Sequence, residues 1–224
     1  MKVFDQDIAH LCLAIYANPG GPIVEWDHVF DGGDWGIYAA LKHYDDMTWV
    51  IFRGSRSIPD WIRDLLAATD PHGEHYGLGP VHPLMFQGMP KFMDQVYPLA
   101  RDRLGFGGHS LGADRAIYGA GLALLDGRKP VVGHVAFAPA KPGFARLKGI
   151  VNQKPGRTYR NGHPEKHEHD FVTTVPFTLG VEEYQHVDEP TDVYQVPEFD
   201  NPLNLFRFHH MSLYAAAPVE AFTE

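Results

Sequence analysis

Five residues, Gly108-His109-Ser110-Leu111-Gly112, restrict this chain more than any other stretch. They read G-x-S-x-G, the pattern of a serine set on a sharp turn between a strand and a helix. The serine backbone is strained at such a turn, and side chains at the two glycine positions would collide with each other and with the next strand. The flanks fit that geometry. Leu104 to Phe106 is a short apolar run that reads as the strand. Ala116, Ile117, Ala120, Gly121, Leu124 and Leu125 then recur at helical spacing. The free N–H groups and dipole of a helix starting at Leu111 favour negative charge next to the serine oxygen.

Around this centre, strand and helix patterns alternate. Phe4, Ile8, Leu11, Cys12 and Ile15 predict a first helix with Asp5 or Asp7 as its cap. Residues 35–41 and 47–52 predict two strands about a polar turn at 43–46. A short helix is expected over 58–66 and a polar surface loop over 69–79. Residues 81–86 read as a short strand interrupted by Pro83. Pro90 suits the first turn of a helix bearing Met89, Phe92, Met93 and Val96, and Pro98 should end or kink it. Residues 131–137 form a near-continuous apolar run, as in a buried parallel strand. Residues 157–160 predict another strand, 161–169 a polar loop, and 171–177 a strand or edge weakened by Pro176. A short helix closes the pattern at 211–217. The alternation predicts a mostly parallel α/β sheet with an antiparallel hairpin on its N-terminal side. There is no internal repeat and no linker, so one domain over residues 1–224 is expected.

Composition narrows the partners. The 224 residues carry a formal net charge of −9, which argues against nucleic acid and against electrostatic attraction to anionic membranes. No apolar run is as long as a membrane span. The first residues, Met-Lys-Val-Phe-Asp-Gln-Asp, put acidic groups where a signal peptide has its apolar region. The expectation is a cytoplasmic protein, or a secreted one if a signal was removed. Cys12 is the only cysteine, so no internal disulfide can form, and its position suits a small core residue.

A serine hydroxyl is a weak nucleophile alone. It needs a histidine base, a carboxylate to orient that base, and donors for the oxyanion. With G-x-S-x-G, acid and histidine follow the serine in the chain. Downstream, Asp170, Asp188 and Asp192 compete as acid, and His209 and His210 as base.

Several segments resemble one family. Ile51-Phe52-Arg53-Gly54-Ser55, continuing to Trp61-Ile62-Arg63-Asp64-Leu65, resembles the F-R-G-[ST]…W-x-x-D-L stretch of the class 3 (fungal-type) lipases. Gly108 to Ala113, GHSLGA, resembles that family's serine motif. Residues 136–143 resemble the strand and loop that follow, although Gly-x-Pro-Arg is usual there and this chain departs from it. Asp170 to Pro176 resembles the family's D-x-V-x-x-x-P segment, Tyr184-Gln185-His186 its Y-x-H strand, and His209 to Tyr214 its terminal histidine and tyrosine. The matches run in order from about residue 4 to 214.

The resemblance implies an α/β-hydrolase with helices on both faces of the sheet, cleaving carboxylic esters through an acyl-enzyme on Ser110. Asp170 would be the acid and His209 the base, with His210 as the alternative. Ser55 and Leu111 would form the oxyanion hole, Asp64 would hold the Ser55 hydroxyl, and His109 would support the turn. Residues 56–64 correspond to the family's lid, where Ile58, Trp61 and Ile62 either give an apolar lid face or pack on the core. The implied partner is a small ester or lipid, with transient contact at a lipid interface and no nucleic acid; no cofactor is implied. A different class of function also has a basis in the residues. His163, His167 and His169, with Asp170 and Glu165 or Glu168, could form a metal-ligand cluster, although Gly162 and Pro164 oppose the helix that would align them. Read as a solvated loop, the same segment binds no metal.

Overall fold

The computed structural model describes residues 3–16, 24–55, 75–163, 168–175, 184–195, 206 and 208–217. Helix α1 (Asp5–Ala14) buries Ile8, Leu11 and Cys12. Its N-cap residue is Phe4, whose N–H donates to the Asp7 carboxylate in the first turn at 2.9 Å. Asp5 is instead buried, bonded to Arg157 and Tyr159.

Among the described residues eight strands form one sheet. Strands β1 (His28–Gly32), β2 (Ile37–Tyr44) and β3 (Met47–Phe52) are antiparallel neighbours. From β3 the sheet turns parallel through β4 (Arg103–His109), β5 (Val131–Phe137) and β6 (Gly156–His163). The far edge of β6 takes β8 (Thr191–Val193) in parallel and β7 (Glu168–His169) antiparallel at its last two residues.

Both sheet faces are covered. All six residues of β3 are buried, yet they alternate between two cores. Val50 and Phe52 join Phe106 and Ala136 under α3 (Met89–Val96), α4 (Leu111–Asp126) and α5 (Ala145–Val151). Trp49 and Ile51 join Val135, Phe137 and Tyr159 under α1 and α6 (Met211–Ala215). This is the α/β layering expected of a mostly parallel sheet, with the antiparallel strands on the N-terminal side.

Some elements differ from expectation. Residues 83–86 form a helical turn, α2 (Pro83–Phe86), with Pro83 at its start; only Val81 keeps a bridge, to Gly143. Proline's missing N–H is harmless in a first helical turn and damaging in a ladder. Residues 171–174 are a 3₁₀ turn rather than a strand, opened by Asp170, whose carboxylate accepts the Val172 N–H. The segment expected as a polar loop from 161 to 169 instead continues β6 to His163 and contains β7. Tyr184 to His186 contributes one bridge, Gln185 with Gly143, and no strand. Helix α3 stops at Val96, two residues before Pro98, as expected. No helix among the described residues is long and apolar enough to cross a membrane.

Candidate active site

Ser110 sits between β4 and α4 with φ 59° and ψ −133°, a strained conformation for a residue with a Cβ. Two contacts hold it there. Its N–H donates to the Phe137 carbonyl at 2.9 Å, and its own carbonyl accepts the Ala113 N–H at 2.8 Å. The glycines are required by close approach. A Cβ on Gly108 would lie 2.1 Å from the Gly112 carbonyl oxygen, and one on Gly112 would lie 2.3 Å from the Phe52 carbonyl oxygen on β3. Strand, turn and helix are thereby pressed together, and Ser110 is buried with no hydrogen-bond partner for Oγ among the described residues. Leu111 opens α4, so its N–H has no partner within the helix.

Asp170 and His209 are brought together. Both are fully buried, and His209 Nδ1 lies 2.6 Å from Asp170 Oδ2. A carboxylate only accepts, so Nδ1 carries the proton and donates it in the bond. The lone pair of the neutral ring then lies on Nε2, which has no partner among the described residues. Asp170 Oδ1 accepts the Val172 N–H at 3.0 Å, and the Tyr214 hydroxyl lies 3.4 Å from Oδ2. His210 is exposed and precedes α6 as its cap residue, so it takes no part in this pair. The competing acids go elsewhere: Asp188 to His134, and Asp192 to Arg160.

Asn161, on the stretch expected to be loop, organises the acid and base segments. Its carbonyl accepts the Asp170 N–H and its N–H donates to the Tyr214 oxygen, both at 2.8 Å. Its side chain bonds the Gln195 main chain through both amide atoms and reaches the Phe208 carbonyl. No sequence signal marked it, because these partners, Asp170, Gln195, Phe208 and Tyr214, lie between 9 and 53 residues away in the chain. His186 adds a clamp, meeting the Thr173 carbonyl at 2.8 Å; burial pushes its pKa down to about 4, so the ring is neutral and donates there.

His109 joins the serine turn to the base. Its Nε2 meets the His209 carbonyl at 2.7 Å, and the two rings are 4.7 Å apart. Burial above all, with the neighbouring His209 imidazole, pushes the His109 pKa well below the ordinary imidazole value. Its neutral ring therefore donates from Nε2 and accepts at Nδ1. The donor to Nδ1 is the Tyr16 hydroxyl, 2.9 Å away, whose oxygen accepts the Gly54 N–H at 2.9 Å. Gly54 packs against the serine so closely that a Cβ there would lie 2.9 Å from Ser110 Cβ. Ser55 follows directly, three residues beyond the end of β3. Tyr16 was invisible in the sequence, 93 residues from His109.

The lid residues Ile58, Trp61 and Ile62, and the supporting Asp64, lie outside the described residues. So do Glu165 and His167 of the metal alternative. Of the rest of that cluster, Asp170 is engaged with His209, and His169 Nδ1 lies 3.5 Å from Asp192. Among the described residues no group of three histidine, cysteine or acidic side chains could hold a metal ion.

No protein-family model and no curated protein match the sequence. Solved structures do match in fold. A Rhizomucor miehei lipase propeptide complex superposes with a TM-score of 0.57 at 19% identity, covering 75% of this chain and 61% of that one. A nonglycosylated Yarrowia lipolytica lipase gives 0.59 at 21% identity, covering 84% and 78%. A triacylglycerol lipase with a serine protease triad as its catalytic centre gives 0.54 at 18% identity, covering 72% and 74%. This chain therefore spans less than two thirds of the Rhizomucor chain it matches. The fold is the α/β-hydrolase fold of the fungal lipases.

Proposed function

We propose that this chain is a class 3 lipase-like serine hydrolase that cleaves carboxylic esters through an acyl-enzyme on Ser110. The observation that carries the reading is the buried His209–Asp170 pair, with its free Nε2, held by His109 against the strained turn of Ser110. In the first half-reaction His209 Nε2 accepts the Ser110 proton as Oγ attacks the ester carbonyl. Asp170 holds the ring and stabilises the imidazolium that forms. The oxyanion takes donors from Leu111 N–H and from Ser55, by its N–H and hydroxyl. The imidazolium then returns its proton to the leaving alcohol, and the acyl-enzyme remains. In the second half-reaction His209 deprotonates a water that attacks the acyl carbon, and the imidazolium gives that proton to Ser110 Oγ as the acyl–Oγ bond breaks and the acid is freed. The lipase of similar fold with a serine protease triad supports the same assignment.

Substrates are expected among acylglycerols, phospholipids or smaller soluble esters, and residues 56–64 correspond to the lid of the resembled family, with Ile58, Trp61 and Ile62 either its apolar face or core side chains. Asp64 would orient the Ser55 hydroxyl. The test is turnover of p-nitrophenyl esters of rising acyl length together with fluorophosphonate labelling. Label on Ser110, and loss of both label and turnover in Ser110→Ala, is the expected outcome. A Ser110→Ala protein that still turns over esters near the wild-type rate would refute the reading.

A further inference from the structure

We propose that Tyr16 is a positioning residue that locks the oxyanion strand, the serine turn and the base loop into one unit. The inference rests on the Ser110–His209–Asp170 reading above. The three parts come from distant places: Gly54–Ser55 follows β3, Ser110 follows β4, and His209 precedes α6. Each must be held within a fraction of an ångström of its working place, because a shift of about 1 Å can cost about a hundredfold in rate.

One unbroken chain of hydrogen bonds links them. Gly54 N–H donates to Tyr16 Oη at 2.9 Å. The Tyr16 hydroxyl donates to His109 Nδ1 at 2.9 Å, with the His109 carbonyl as a second acceptor at 3.4 Å. His109 Nε2–H donates to the His209 carbonyl at 2.7 Å. Every donor points the same way, from the oxyanion strand toward the base. The direction survives only if the hydroxyl keeps its proton and His109 stays neutral. Burial secures both, pushing the Tyr16 hydroxyl pKa up and the His109 pKa down. Packing adds to the link. The Tyr16 ring stands edge-on to His109 at 5.6 Å, and any side chain at position 54 would strike the Tyr16 oxygen, 2.2 Å from an added Cβ. None of these groups meets the reacting atoms in the proposed chemistry, so the role is positioning.

Tyr16→Phe removes the hydroxyl and keeps the ring. It leaves Gly54 N–H and His109 Nδ1 without their partner. On a soluble ester, kcat is expected to fall about tenfold to a hundredfold, with KM within about twofold. The fluorophosphonate labelling rate at Ser110 should fall by the same factor. Rates are normalised to folded protein measured by circular dichroism. His109→Phe should cost as much as Tyr16→Phe, and the double variant no more than either, because one broken link already severs the chain. His109→Gln keeps a donor and an acceptor and should recover turnover relative to His109→Phe. Additive losses in the double variant would overturn the proposal. So would a Tyr16→Phe rate within about threefold of wild type, or a defect confined to KM or to the amount of folded protein. Ser110→Ala, run alongside, separates the two levels. If it stays active the hydrolase reading itself fails; if it is inactive, the other outcomes judge Tyr16 alone.

Discussion

His209 meets Asp170 through Nδ1 at 2.6 Å, and His134 meets Asp188 through Nε2 at 2.8 Å. By distance the two pairs are near equals, but Asp188 is partly exposed where Asp170 is fully buried, and the pairs differ in what surrounds them. His209 leaves Nε2 without a partner among the described residues, and its carbonyl is held by His109 of the serine turn, while its carboxylate is supplied with further donors from Val172 and Tyr214. His134 lies within β5, pressed on Gly156 of β6, where a Cβ would come within 2.1 Å of its ring. The nearby hydroxyl, Thr158 Oγ1, donates to Asp188 at 3.1 Å and is thus committed to the carboxylate. The second pair is a clasp, tying the segment around Asp188 to two central strands. A histidine–aspartate contact alone therefore does not mark a catalytic base. In the proposed function, the second nitrogen without a partner among the described residues and the link to the serine turn through His109 set His209 apart.

The sharpest way to break this contrast is the same change at both acids. Asp170→Asn is expected to leave the fold intact and lower kcat about 10⁴-fold, because the ring loses its required tautomer. Asp188→Asn should leave turnover per folded molecule unchanged. Steady-state kinetics on both variants decides the matter, and the opposite pattern would exchange the two roles.

Ser55 gives the next largest effect on the catalytic side. Ser55→Ala should lower kcat about 10²- to 10³-fold with little change in KM, whereas Ser55→Thr keeps the hydroxyl and stays active. A Ser55→Ala enzyme within about threefold of wild type would leave only the backbone N–H as donor at that position.

On the clasp side the readout is stability. Removing a hydrogen bond between a charged and a buried group costs about 2 kcal/mol. For a chain of this length that shifts Tm by roughly 4–8 °C. Thermal melts of Asp188→Ala, which removes the acceptor that Asn would keep, check it, and an unchanged Tm would remove the structural role assigned to the pair.

The smallest effect is a pH dependence. Burial alone would raise the Asp188 pKa, but the His134 hydrogen bond and charge, with Thr158, outweigh it and hold the carboxyl below its ordinary value of 3.8. A group with a depressed folded pKa binds fewer protons folded than unfolded. Its contribution is thus present above pH 3.8 and lost as pH falls through the folded value. Asp188→Asn should flatten the acid limb of a denaturation series over that range and leave the neutral region parallel to wild type.

Much of this architecture was legible because its causes are local. The apolar run at 131–137 became β5, and the hairpin about residues 45–46 became β2 and β3. The glycines at 108 and 112 did what their spacing implied, with one facing the other and the second facing β3. Between His209 and His210 the residues alone left a choice, and burial at one against exposure at the other separates them. Strands β1 and β8 and helix α5 were not anticipated. Each is short, and β1 and β8 take their strand state from a neighbour's free edge rather than from their own pattern.

By itself the sequence determined the strained serine turn, the alternation that builds a two-faced sheet, and the short menu of acids and bases. These follow from sterics and side-chain periodicity over a few residues, and they hold wherever the chain goes next. Only the tertiary structure decided that Asp170 meets His209 across 39 residues, that Asp188 meets His134 across 54, and that Tyr16 stands behind the serine turn. Hydrogen bonds act over about 3 Å and depend on direction. Two side chains far apart in the chain have no defined relation until the sheet has closed and set the ends of its strands side by side.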